Sequence, residues 1–221
     1  MQLALFDLDN TLLDGDSDHL WGEFLIARGV VDPDSYRREN DRFLREYREG
    51  QLDIREFLRF ALRPLAEHPL EQLYAWREEF IETAIIPRIP AEALQLVDQH
   101  RARGELPVII TATNRFVTEP IAALMGVDHL LATEPESHAR GFTGEVTGTP
   151  CFREGKLIRL REWLGDRPAT LEEASFYSDS VNDLPLLKAV GRPVAVNPDP
   201  QLQRTAHALG WPIMQLGSGG E

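Results

Sequence analysis

The sequence predicts an α/β fold: a parallel sheet core with helices on both faces, plus an inserted all-helical segment after the first strand. Three observations carry this. Short apolar runs recur along the 221 residues at the length of buried strands. Helical patterns separate most of them, and strands alternating with helices imply parallel pairing through right-handed crossovers. Residues 16–85 hold no strand pattern at all.

Residues 2–8, Gln-Leu-Ala-Leu-Phe-Asp-Leu, read as the first strand. Leu106 to Ala112, Ala174 to Ser178 and Pro193 to Val196 follow as the second, third and fourth. In the insertion, Leu20, Trp21, Phe24 and Leu25 fit one helix. Ile54, Phe57, Leu58, Ala61, Leu62 and Leu65 fit another, with Asp53 as its N-cap. Ala93, Leu94, Val97 and His100 share a face of a helix that stops at Gly104. Leu157, Ile158, Leu160 and Leu164 mark a further helix that stops at Gly165. The junctions of the insertion are Asp14-Gly15 and the Pro87–Pro90 stretch, so the chain divides into a discontinuous core, 1–15 with 86–221, and a helical unit, 16–85. The tail from Gly217 is expected to fray.

Hydrophobic residues make up 43% of the chain, enough for a buried core. No apolar run approaches the ~18–20 residues of a membrane span. The start, Met-Gln-Leu-Ala-Leu-Phe-Asp, has no basic region before its apolar stretch, so no secretory signal is expected. The single cysteine, Cys151, excludes an internal disulfide and fits a reducing cytoplasm. A net charge of −13 repels nucleic acid and anionic lipid, so neither is an expected partner. It repels a phosphorylated substrate too, unless a cation and positive side chains reverse the sign locally.

Acidic and hydroxyl clusters end the apolar strands, where ligands bind in such sheets. Asp7-Leu8-Asp9-Asn10-Thr11 places two carboxylates around one hollow, and both need a cation or donor if buried. Thr111-Ala112-Thr113-Asn114 offers hydroxyls and backbone N–H groups for phosphate oxygens, or an ordinary helix cap. Asp179 and Asp183, in Tyr177-Ser-Asp-Ser-Val-Asn-Asp183, are able to complete an oxygen-lined magnesium site with Asp7. Lys156 is one of only two lysines beside 21 arginines, and the two side chains are not interchangeable at a phosphate. Taken singly, each cluster also reads as a turn, a cap or a solvated helix residue. Their common position at strand ends is the more specific signal.

In order and content these motifs resemble the haloacid dehalogenase superfamily of phosphohydrolases, with Asp7-x-Asp9-x-Thr11, then Thr111, then Lys156, then Asp179 to Asp183. The helical insertion sits where that family carries a C1-type cap. The interval from Lys156 to Asp179 and the Asp-x-x-Asn-Asp ending resemble the phosphoserine phosphatase-like branch. The resemblance implies a Rossmann-like core and a magnesium-dependent phosphatase for a small phosphorylated metabolite. Asp7 becomes a phosphoaspartate, and Asp9 is general acid, then base. Magnesium is held by Asp7, the Asp9 backbone carbonyl and Asp179. Thr111, Ala112 and Lys156 bind the phosphoryl group, with Asp183 and Asn182 behind the metal. A phosphotransferase with the same intermediate, or a non-catalytic phosphate- or metal-binding regulator, would carry the same motifs.

The substrate residues depart from that branch. Asp16 stands where an acidic residue takes the amine of phosphoserine. Ala61 stands where an arginine takes the carboxylate, and Ile54 where an aromatic is usual. Arg59 and Arg63 lie about 200° away from Ala61 around a helix. Thr111-Ala112-Thr113-Asn114 stands in place of a Ser-Gly-Gly type, and Asn114 adds a polar group near the leaving group. Phosphoserine is therefore expected to be a poor substrate, and a small monoester bearing an amine a better one, with Asp16 and Asn114 as specificity candidates.

Overall fold

The computed structural model describes residues 2–167 and 169–217, so the tail beyond Gly217 lies outside the described residues. The strands are β1 (Leu3–Phe6), β2 (Leu106–Asn114), β3 (His129–His138), β4 (Gly141–Thr147), β5 (Ser175–Ser178), β6 (Arg192–Val196) and β7 (Ile213–Met214). They form one sheet of order β4-β3-β2-β1-β5-β6-β7. Every pairing is parallel except that of β4 with β3.

β1 is central and its side chains alternate between two apolar cores. Ala4 and Phe6 join one cluster, Leu3 and Leu5 the other, and all four are fully buried. One core holds Trp21, Phe80, Val97 and Phe116. The other holds Val108, Ile110, Leu160, Phe176 and Leu187. Cys151 belongs to this second core, fully buried, and burial pushes its thiol up to about 12. It is core filling.

Between β1 and the next core helix, α5 (Ala91–Ala102), the chain is wholly helical. It runs through α1 (Ser17–Ala27), α2 (Pro33–Arg48), α3 (Ile54–Glu67) and α4 (Leu70–Phe80), then a π turn and a 3-10 turn ending at Arg88. Asp16, Asp32 and Asp53 each cap a helix by accepting from backbone N–H groups of its first turn. α5 ends as the pattern predicts, with Gly104 just beyond it at φ +75. Helix α6 (Arg115–Leu124) follows β2, α7 (Glu154–Leu164) carries Lys156, and α8 (Leu184–Leu187) and α9 (Pro200–Leu209) follow β5 and β6.

Several elements had no clear sequence signal. α2 buries only Tyr36, Asn40 and Phe43 of its 16 residues, so its apolar stripe is too thin to read. β3 and β4 form a hairpin whose outer strand alternates with one covered face and runs through two glycines. Ile158 was expected on the apolar face of α7 but is 43% exposed; Leu160 and Leu164 make the packing face.

Candidate active site

Asp7 follows the last residue of β1, and its N–H donates to the Tyr177 carbonyl on β5 (2.9 Å). The chain then turns, with Asn10 at φ 55 and the N–H groups of Leu12 and Leu13 both closing onto the Leu8 carbonyl. That turn sends Asp7 and Asp9 to one hollow at the carboxyl end of the sheet. Both are buried, as are Thr111, Lys156, Asp179, Asn182 and Asp183.

Lys156 Nζ donates to Asp7 Oδ1 (2.8 Å) and to Asp183 Oδ2 (2.7 Å), and Ser178 Oγ donates to the same Asp183 oxygen (2.7 Å). Burial works against the ammonium charge, but Asp183 and Asp7 outweigh it and hold Lys156 protonated. Thr11 Oγ1 accepts from the Asp179 N–H (3.0 Å) and donates to the Asp179 carboxylate (3.3 Å), so Thr11 fixes the acid of a distant strand.

Asp9 is bound on both oxygens. The Ser17 N–H donates to Oδ1 (2.7 Å), and the Thr113 hydroxyl to Oδ2 (2.8 Å), with Thr111 Oγ1 farther off at 3.4 Å. Burial, then the charge of Asp16, raise its carboxyl to about 6 against those donors. Burial likewise raises Asp183 to about 6 and lifts Asp7 and Asp179 above the ordinary carboxylate range.

Of Asp7, Asp9, Asp179 and Asp183, only Asp7 and Asp183 pair with the Lys156 ammonium, which leaves a surplus of negative charge. Asp7 Oδ2 is buried with no donor. A hard divalent cation fits this all-oxygen donor set. A separate trio, His19, Glu23 and Asp41, brings ligand atoms within 4.8 Å of one another, but Arg37 already pairs with Glu23 at 3.5 Å.

Beside Asp7 and Asp9 lies a small cavity of about 40 Å³. Its lining includes the polar Asp16, Asp18, His19 and Asn40, the largely apolar Phe43, Leu44, Tyr47, Leu52, Ile54 and Phe57, and Thr111, Ala112 and Thr113. No lysine or arginine is among the described lining residues. Arg48 lies in the adjoining groove with Asp14, Asp179 and Ser180.

Two expected residues act differently from their sequence reading. Asn114 does not line the cavity. It is almost wholly buried, accepts from the Val117 N–H to cap α6 (3.2 Å), and donates to Asp18 (3.1 Å). Asn182 donates to the Tyr47 carbonyl at the end of α2 (2.8 Å) and accepts from Arg153 Nε (3.1 Å). Arg153 also donates to the Gly50 carbonyl, so Asn182 and Arg153 join the core to the α2–α3 loop. Ser17, Arg153 and Tyr47 carry no motif signal in the sequence; Thr113 does, within the Thr111–Asn114 cluster, but as a phosphate ligand or cap rather than as a donor to Asp9.

A fold of this topology with acids, a lysine and threonines converging on its strand ends defines a phosphoryl-transfer hydrolase. The family model for haloacid dehalogenase-like hydrolases matches residues 4–188, and the chain belongs to that family and is a phosphatase. It is 44% identical to a protein named histidinol-phosphatase from Neisseria meningitidis serogroup C (strain 8013), over 97% of this chain and 98% of that one. A crystal structure of a protein of unknown function from Bordetella pertussis Tohama I matches with a TM-score of 0.90 at 46% identity, covering 96% and 97% of the two chains. A phosphoserine phosphatase solved as a phospho-aspartyl intermediate analogue matches at TM-score 0.71 and 21% identity, covering 96% and 92%, a likeness of fold. Among the described residues no helix is long and apolar enough to cross a membrane.

Proposed function

We propose that this phosphatase hydrolyses the phosphate ester of a small amino alcohol that carries no carboxylate, through a phosphoaspartate on Asp7. The observation that carries the reading is the leaving-group cavity: two carboxylates, Asp16 and Asp18, and no cationic side chain among its described lining. An ammonium is attracted there, whereas the carboxylate of phosphoserine would meet the like charges of Asp16 and Asp18, with Arg48 reaching them only from the adjoining groove. The relative named histidinol-phosphatase supports it, since histidinol phosphate is such an ester.

The Asp7 carboxylate attacks phosphorus and the ester P–O bond breaks. Asp9, protonated, gives its proton to the leaving alkoxide; its carboxyl near pH 6 suits that task. Asp9 then takes a proton from the water that attacks the phosphoaspartate, which releases phosphate and restores Asp7. Thr111, the Ala112 N–H and Lys156 meet the phosphoryl oxygens, and Asp183 positions Lys156. Magnesium, held by Asp7, Asp179 and the Asp9 backbone carbonyl, would screen the repulsion between nucleophile and ester. Residues 16–85 form the cap in this reading, and Asn182 and Arg153 help to seat it rather than to hold the metal.

The test is phosphate release from histidinol phosphate, phosphoserine and an aryl phosphate, by wild type and Asp7→Asn, with magnesium and with chelator. Histidinol phosphate should give the highest kcat/KM, and activity should need both Asp7 and magnesium. A preference for phosphoserine would refute the substrate class. Activity surviving in Asp7→Asn would refute the mechanism.

A further inference from the structure

Asp18 is the second residue of α1 (Ser17–Ala27). An acid there favours a helix dipole by ~0.3–1 kcal/mol, and an exposed carboxylate does this as well as a covered one. Asp18 instead lines the cavity beside Asp9 and Asp16, whose charges, after burial itself, hold its carboxyl well above the ordinary range. Asn114 donates to it from 3.1 Å, and the Thr113 hydroxyl also acts on it. The Asn114 amide cannot turn freely, because its oxygen is occupied by the Val117 N–H at 3.2 Å. Asn114 is 1% exposed, so a rigid, buried amide aims this carboxylate from behind.

The rest of the cavity suggests what Asp18 is aimed at. Asp16 already supplies one carboxylate for an ammonium, though its Oδ1 is engaged by the His19 N–H at 2.8 Å. His19 Nδ1 is buried and unpartnered in the cavity lining. The same lining includes the rings of Phe43, Tyr47 and Phe57, which suit a flat group over a short alkyl chain.

We propose that Asp18, aimed by Asn114, binds a second nitrogen group of the leaving alcohol, a protonatable heteroaromatic ring lying against Phe43 and Phe57, while Asp16 binds its amine. This rests on the amino-alcohol reading and narrows it to substrates with two separated N–H donors. Asp16 reads the amine common to all such esters, and Asp18 reads the ring.

The experiment compares kcat/KM for histidinol phosphate and for 2-aminopropyl phosphate, which keeps the amine and lacks the ring. Wild type, Asp18→Asn, Asp16→Asn and Asn114→Asp are assayed, with folding checked by thermal melting. In Asn114→Asp the helix cap is retained and the donor to Asp18 is lost, so this variant tests the aim without emptying the position. Asp18→Asn and Asn114→Asp should each lose at least tenfold more on histidinol phosphate than on the ring-free ester, chiefly in KM. Asp16→Asn should lose similarly on both. Losses from Asp18→Asn and Asn114→Asp that match within threefold on the two esters would overturn the role of Asp18 and leave the amino-alcohol reading standing. If wild type itself prefers phosphoserine to either ester, the amino-alcohol reading falls and the proposal with it.

Discussion

The backbone N–H of Ser17 donates to the Asp9 carboxylate at 2.7 Å. The first residue of α1 therefore holds in place the acid we propose as proton donor. The other oxygen of Asp9 is held from β2 by Thr113. Asp9 is thus clamped between the helical insertion and the core, and movement of α1 would change both its orientation and its proton affinity.

Asp9→Asn keeps the size of the side chain and removes its proton transfer. It should lower kcat on alkyl phosphates by about 10²- to 10⁴-fold. An aryl ester, whose leaving group needs little protonation, should still phosphorylate the protein, then stall. A rapid-quench experiment should show one equivalent of phenol released in a burst and little turnover after it.

Stability should depend on pH in a direction set by the buried acids. Burial raises Asp9 and Asp183 to about 6 from 3.8. A raised folded-state pKa contributes stability that is present below the unfolded value and lost as pH rises through the folded value. With the cation chelated, the melting temperature should fall from pH 4 to above pH 6, each group costing up to about 3 kcal/mol. Magnesium favours the ionised cluster, so adding it should flatten that fall. Melts across this range, with and without magnesium at equal ionic strength, check it; a chelated protein that gains stability over the same interval would contradict it.

Lys156→Met removes the one ammonium between Asp7 and Asp183. Breaking a buried pair typically costs about 3–5 kcal/mol, which for this chain length is roughly 6–20 °C in melting temperature. Activity should be lost throughout, but the stability deficit should shrink from pH 7 to pH 4, as the orphaned carboxyls take up protons. Differential scanning calorimetry at pH 4 and pH 7 gives the comparison.

Arg153→Gly should separate insertion docking from folding. Arg153 has φ 50 and ties Gly50 to Asn182. Glycine accepts that backbone conformation without strain, so the global melt should shift little. The lost charged hydrogen bonds are worth about 1.5–3 kcal/mol each, so hydrogen exchange at the end of α2 should speed up by roughly ten- to a hundredfold for each bond lost. Unchanged protection there would show that other contacts seat the loop.

The strand-end acids were legible because they interrupt apolar runs, and this signal is local. Asp7, Asp9, Thr111, Lys156, Asp179 and Asp183 all converge as their order along a parallel sheet implies. Arg153 carried no such signal: it is one of 21 arginines, and only the approach of the α2–α3 loop, about a hundred residues away in sequence, gives it partners. Asn114 was legible as a helix cap or a pocket residue but not as both a cap and a support for Asp18. That double use depends on where α1 begins relative to α6.

By itself, the sequence determined the alternation of strand and helix, the helical stretch after β1, and the acids, threonines and lysine of the phosphoryl site, because period and residue type are local properties. Tertiary structure alone decided which oxygen of each acid is held and by what, that Cys151 is core filling, and that the cavity beside Asp7 and Asp9 is lined by Asp16 and Asp18 and by no described lysine or arginine. These depend on distances between residues far apart in the chain, and a distance of a few ångströms separates a paired charge from a free one.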